Sequence, residues 1–149
     1  MIAPLTALVH ELCHAAVALE IGVRVCSIHI YPTSGGLCRT RNGQHPRREF
    51  VLRAVTVSFA GVIAAELSGN GTRIGCGADL MDIQKALNTI ADPWDRAAIS
   101  REARRTAERI VNEQWYALCR VAERLEGEGR RRLTGREVRE LLAPRRRAA

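Results

Sequence analysis

The sequence predicts a mainly helical domain of the α+β class, with one small β-hairpin forming a sheet edge near its first helix. Three observations carry that expectation. Apolar residues make up 46% of the 149 residues but aromatics only 4%, so the core must be aliphatic and alanine-rich, which favours helices. Apolar side chains recur at helical spacing near 4–22, 47–67 and 95–125. Only between 23 and 41 does the period change to two. A chain of this length is expected to form one domain, 1–149, ending in a basic tail from about residue 143.

Pro4 suits the first position of the first helix. Leu5, Leu8, Val9, Leu12, Ala16 and Leu19 fall within an arc of about 100°, a single buried stripe. The opposite side, with Ala7, Val17 and Ile21, is also apolar, and His10, Glu11 and His14 are set into it. Gly22 ends the helix. Cys26, Ile28 and Ile30 then alternate with Ser27, His29 and Tyr31 as a strand. Pro32–Gly36 is turn chemistry and Leu37–Arg41 a second strand, so the pair reads as a hairpin at a sheet edge.

A second helix is expected from about Arg47 to Leu67, followed by a loop at 68–77 with four glycines. A third helix opens near Asp79, read as its N-cap, with Asp82 three residues on in the capping-box position. Asp92-Pro93 breaks it. Residues 95–125 form one long or one broken amphipathic helix, and 127–132 a linker. Thr134-x-x-Glu137 caps a short last helix to Leu142.

The net charge of +7 comes from 22 Arg and the single Lys85 against 16 acids. Arginines of 95–125 alternate with Glu102, Glu108, Glu113 and Glu123 at pairing distance, and so few aromatics give no stacking platform. Nucleic acid is therefore the least favoured partner, despite Arg130–Arg132 and Arg145–Arg147. Five cysteines, no secretory signal and no charge-free 18-residue apolar window predict a reduced, cytoplasmic protein without a transmembrane segment.

His10-Glu11-Leu12-Cys13-His14 is H-E-x-x-H on a helix. Residues four apart differ by only about 40° around the axis, so both imidazoles can reach one metal ion. With four His and 12 Glu, roughly 0.008 such motifs are expected by chance, so a metal explains the cluster better than coincidence does. Zn²⁺ held by two His and one further ligand keeps a position open for water, whose proton Glu11 could take as catalytic base. Candidates for the third ligand are Glu66, Asp79, Asp82, His29 and His45. If Asp79 caps its helix, Asp82 is the acid left free, while Glu66 could support the metal from beyond its ligands.

These residues, taken together, resemble the zinc peptidase domain of the FtsH-type ATP-dependent proteases. The likeness begins at Val9–Ala15 and continues through Val25–Pro32, Gly36 and Thr40. Phe59–Leu67 resembles that family's A-G-R-x-A-E-E segment, and Asp82-Ile83-Gln84-Lys85-Ala86 its ligand motif. Val121–Leu125 and Leu133–Val138 resemble its closing helices, so the likeness spans nearly the whole chain. It implies His10, His14 and Asp82 as zinc ligands, with Asp79 in a second register, Glu11 as base, and a hairpin edge at Ile28, His29 and Ile30 that holds substrate as an added strand. Cys13 stands where that family has Gly, placing a thiol beside the motif where it could compete as a ligand. No Walker-type G-x-x-x-x-G-K-[ST] is present, so unfolding of substrates would need a separate ATPase.

The leading expectation is thus a zinc-dependent metallo-endopeptidase acting on flexible or unfolded polypeptides, alone, as an oligomer, or beside an unfoldase. The alternative is a catalytically idle, zinc-stabilised binding or regulatory domain.

Overall fold

In the computed structural model, residues 2–32, 35–69 and 76–143 are described, with the backbone alone for residues 2–6. Five helices and a three-stranded sheet follow in the order α1 (Ile2–Glu20), β1 (Arg24–Tyr31), β2 (Gly35–Arg41), α2 (Arg47–Leu67), α3 (Cys76–Leu87), α4 (Pro93–Gly127), β3 (Arg132–Thr134) and α5 (Gly135–Leu142). The mainly helical reading holds. The tail arginines 145–147 and the central part of the glycine-rich stretch, 70–75, lie outside the described residues.

Helix α1 is buried over Ala7–Ala18 on every side, polar motif included. It ends where Gly22 takes φ +83°, a conformation open to glycine, and the Val23 N–H returns to the Ala18 carbonyl at 2.7 Å. Helix α2 matches its expected span and packs between α1, α3 and α4, with Val51, Val55, Ala60 and Ile63 in the core. It is also long and apolar enough to cross a membrane by length and composition, although 61% of its apolar window is buried inside the fold. The expectation is of no charge-free apolar window, and Arg53 interrupts every 18-residue window of this helix.

Helix α4 is one continuous rod of 35 residues, capped by the Asp92 side chain on the Trp94 N–H with Pro93 at its first position. Its stripe of Ile99, Ala103, Ala107, Ile110, Leu118 and Ala122 is fully buried. The Thr134–Glu137 capping box opens α5 as its sequence predicts.

The strands are all antiparallel, in the order β2-β1-β3. This corrects the edge assignment. Ile28 faces Cys38 on one side and Leu133 on the other, and the Ile30 N–H bonds the Arg131 carbonyl at 2.8 Å. Ile28, His29 and Ile30 therefore lie on the central strand, and the edges are β2 and the three-residue β3. Strand β3 is three residues long, too short for alternation to show it, and it runs from the last residue of the expected linker, Arg132, to the capping Thr134.

Candidate metal centre

His10 and His14 project from α1 at one helical turn's separation, and Asp79 reaches them from the first turn of α3. His10 Nε2 lies 2.9 Å from Asp79 Oδ2, His14 Nε2 lies 3.1 Å from Asp79 Oδ1, and the two Nε2 atoms are 3.2 Å apart. All three residues are buried. Their ligand atoms form a set that could hold one metal ion.

Asp79 takes the place expected for Asp82. Helix α3 starts at Cys76, three residues earlier than the sequence suggests, so Asp79 is not a cap. It lies inside the first turn on the face of Cys76 and Ile83, both buried, at helical spacings of three and four. Asp82 sits on the exposed side of α3.

The surroundings fix the donors. The His14 Nδ1–H donates to the Val57 carbonyl at 2.7 Å, which turns Nε2 toward Asp79. Gly61 of α2 lies against the three donors. A Cβ there would stand 2.6 Å from His10 Nε2 and 2.7 Å from His14 Nε2, and would collide with Asp79 Oδ2. Neither role is announced by the sequence, although a glycine inside an apolar helix, costing about 1 kcal/mol relative to Ala, is itself a signal of close approach.

The electrostatics follow from burial and charge. Burial works to raise the Asp79 carboxyl, but hydrogen bonds from His10 and His14 outweigh it and hold it at about 2. Burial works to lower His14, but the hydrogen bond and charge of Asp79, with that of Glu11, lift it to about 9. Burial also pushes Glu11 up, opposed by the charges of His14 and His10 and by a hydrogen bond from the Cys38 backbone N–H. Glu11 is only 7% exposed, and a Cβ on Gly36 would stand 2.9 Å from its Cγ. The carboxylate thus sits between the His pair and strand β2.

The donor set fits a zinc-like ion. Ligands at about 2.0–2.2 Å in a tetrahedral array lie roughly 3.3–3.6 Å apart, close to the observed spacings. The chemistry, two imidazoles and one carboxylate with a fixed tautomer, suits zinc as well.

Other expected site residues are elsewhere. Glu66 does not support the centre: its oxygens accept from the Arg104 guanidinium at 2.8 and 2.9 Å, tying α2 to α4. His29 packs against Tyr31 on the sheet, and His45 Nε2 bonds the Asn42 carbonyl at 3.0 Å. Cys13 is fully buried, and among the described residues it is not one of the clustered donors.

The sequence model of the Peptidase M50B-like family matches residues 2–79, just over half of the chain. The chain belongs to the M50B-like peptidase family. Membership makes it a metallopeptidase-family protein and implies a metal, for which His10, His14 and Asp79 are the clustered donors. The match runs from the start of α1 to Asp79 and so spans every residue of this centre. No curated protein matches the chain.

Proposed function

We propose that this M50B-like protein is a zinc-dependent endopeptidase that hydrolyses flexible or unfolded polypeptides. The observation that carries the reading is the convergence of His10, His14 and Asp79 with a buried Glu11, which meets strand β2 on its other side. A bound zinc ion would supply Lewis acidity toward a carbonyl and acidify a water molecule. Glu11 takes the proton of the attacking water and hands it to the departing amine. Burial raises its affinity for that proton toward the working range. Substrate adds to β2 as a further strand, since β1 is paired on both sides and, of the two edges, β2 is the longer and is the one that abuts Glu11.

The finer likeness to the FtsH-type zinc domain rests on the order of H-E-x-x-H, strand–turn–strand and helix-borne Asp, with Asp79 in the ligand role. A single domain in a reducing, cytoplasmic setting, served by a separate unfoldase, completes the reading; five free cysteines support the compartment.

The test is Glu11→Gln. Zinc should stay bound at one equivalent while chelator-sensitive peptide hydrolysis falls by at least about a hundredfold. Equal turnover by the variant and the parent would remove Glu11 from the mechanism.

A further inference from the structure

Strand β2 carries an electrostatic feature that neither the core nor the metal centre uses. Successive side chains alternate between faces. Gly36, Cys38 and Thr40 share the face of Glu11 and α1, where Gly36 abuts Glu11 and Cys38 is half-buried. Leu37, Arg39 and Arg41 share the outer face and are exposed. Arg41 is directly opposite Arg24 of β1, which is exposed on that same face. Like charges directly opposed across two strands cost stability. Among the described residues, none of Arg24, Arg39 and Arg41 makes an ion pair. The fold gains nothing from this arrangement; an anionic occupant would.

We propose that β2 selects extended polypeptide segments with acidic side chains at alternate positions, read by Arg39 and Arg41. This rests on the peptidase reading above. A strand laid on the open edge places the residues opposite Arg39 and Arg41 on the arginine face, with Cβ atoms about 5 Å away. The residue opposite Cys38 falls on the face of Glu11, and the one opposite Leu37 meets an apolar side chain that is 43% exposed. The sheet is antiparallel throughout, and β2 runs from the Glu11 end toward Arg41. An antiparallel substrate therefore presents its acidic pair on the N-terminal side of the bond that reaches Glu11. A nucleic-acid strand would satisfy the guanidiniums but not the edge's row of N–H and C=O groups, which a peptide pairs with in full.

The experiment offers the zinc-loaded full chain a set of otherwise neutral peptides in which a pair of alternate residues is Asp, Asn or Lys. The pair is moved along the sequence and the products are mapped by mass spectrometry. The cut should follow the Asp pair and stay on its C-terminal side, with kcat/KM about three- to tenfold above the Asn peptides, an advantage that salt reduces. The double variant Arg39→Glu, Arg41→Glu should reverse the ratio in favour of Lys pairs. In parallel, labelled Asp and Asn peptides are bound to zinc-loaded Glu11→Gln protein and followed by anisotropy. A binding preference without cleavage would sink the peptidase reading while the selection stands. Equal cleavage and binding of Asp and Lys peptides, no binding of any peptide, a preference untouched by the double variant, or tighter capture of a single-stranded DNA oligomer through these arginines would each overturn the selection.

Discussion

Gly61 and Asp79, on different helices, meet so closely that a methyl group on the Gly61 α-carbon would collide with the Asp79 carboxylate and crowd both His Nε2 atoms. The metal centre is thus built on the absence of a side chain in α2 as much as on the presence of three. Gly61→Ala separates the two effects. Helix propensity alone favours Ala by about 1 kcal/mol, so the fold has a source of compensation, while the donors do not. The expected outcome is retained helical circular dichroism with zinc stoichiometry well below one. Full zinc loading in this variant would show that the donors can move aside and that the close approach is incidental.

Asp79 and Asp82 are one turn apart on α3 and should behave as opposites. Among the described residues, Asp79→Ala removes the one carboxylate grouped with both imidazoles, and zinc should be lost from the purified protein. Asp82→Ala changes an exposed side chain and should leave zinc content at one equivalent and the melting temperature within a few degrees. Atomic absorption on the two variants side by side decides the matter. Zinc retained in Asp79→Ala and lost in Asp82→Ala would reverse the assignment.

The contrast shows where the sequence was legible. The pair His10 and His14 could be read because a four-residue spacing sets two side chains on one helix face without help from any tertiary contact. The same holds for the long amphipathic stripe of α4 and the capping box at Thr134, both local patterns. Asp79 could not be chosen in the same way. Its role depends on where α3 begins, and the helix already includes Cys76, inside the glycine-rich stretch, rather than opening at the cap-type Asp79. One residue of displacement along a helix turns a side chain by about 100°, so an error of three positions in the start exchanged a capping role for an inward-facing one. Strand β3 was missed for a related reason. Its three residues are held by pairing with Ser27, Ile28 and His29, a long-range contact with no local periodicity, and that pairing converts β1 from an edge into the middle of the sheet.

The protonation states of His14 and Asp79 set a pH dependence for the metal-free protein. His14 is lifted from 6.5 to about 9 once burial is outweighed by Asp79, so its stabilising contribution is complete below about pH 6.5 and disappears as pH rises through about 9. Asp79 is lowered from 3.8 to about 2, so its contribution is complete above about pH 3.8 and disappears as pH falls through about 2. In chelator-treated protein the contribution of His14 and Asp79 to the melting temperature should therefore be greatest between about pH 4 and 6.5. Zinc must displace the His14 proton, so zinc affinity should run the other way and rise with pH across 6.5 to 9. Thermal melts of the metal-free protein and competition titrations with a zinc indicator test the two slopes. An affinity flat across that interval would mean that His14 carries no proton to displace.

Glu66 gives the complementary test, because it sits in a segment that resembles a peptidase motif yet does structural work. Both of its oxygens accept from Arg104, which is also 3.3 Å from Glu108 one turn along α4, and the Arg104 guanidinium stands over the Phe59 ring at 5.9 Å. The pair is roughly half exposed, so its contribution to stability is on the order of 1 kcal/mol or less. Removing Glu66 leaves Arg104 with Glu108 and its stacking contact, which limits the loss further. Glu66→Gln should lower the melting temperature by no more than a few degrees while leaving zinc stoichiometry and peptide turnover at the parent's level. A drop in zinc affinity of tenfold or more would place the Glu66 carboxylate in support of the metal donors after all, since outlying partners of a metal's ligands are worth about that much when they matter.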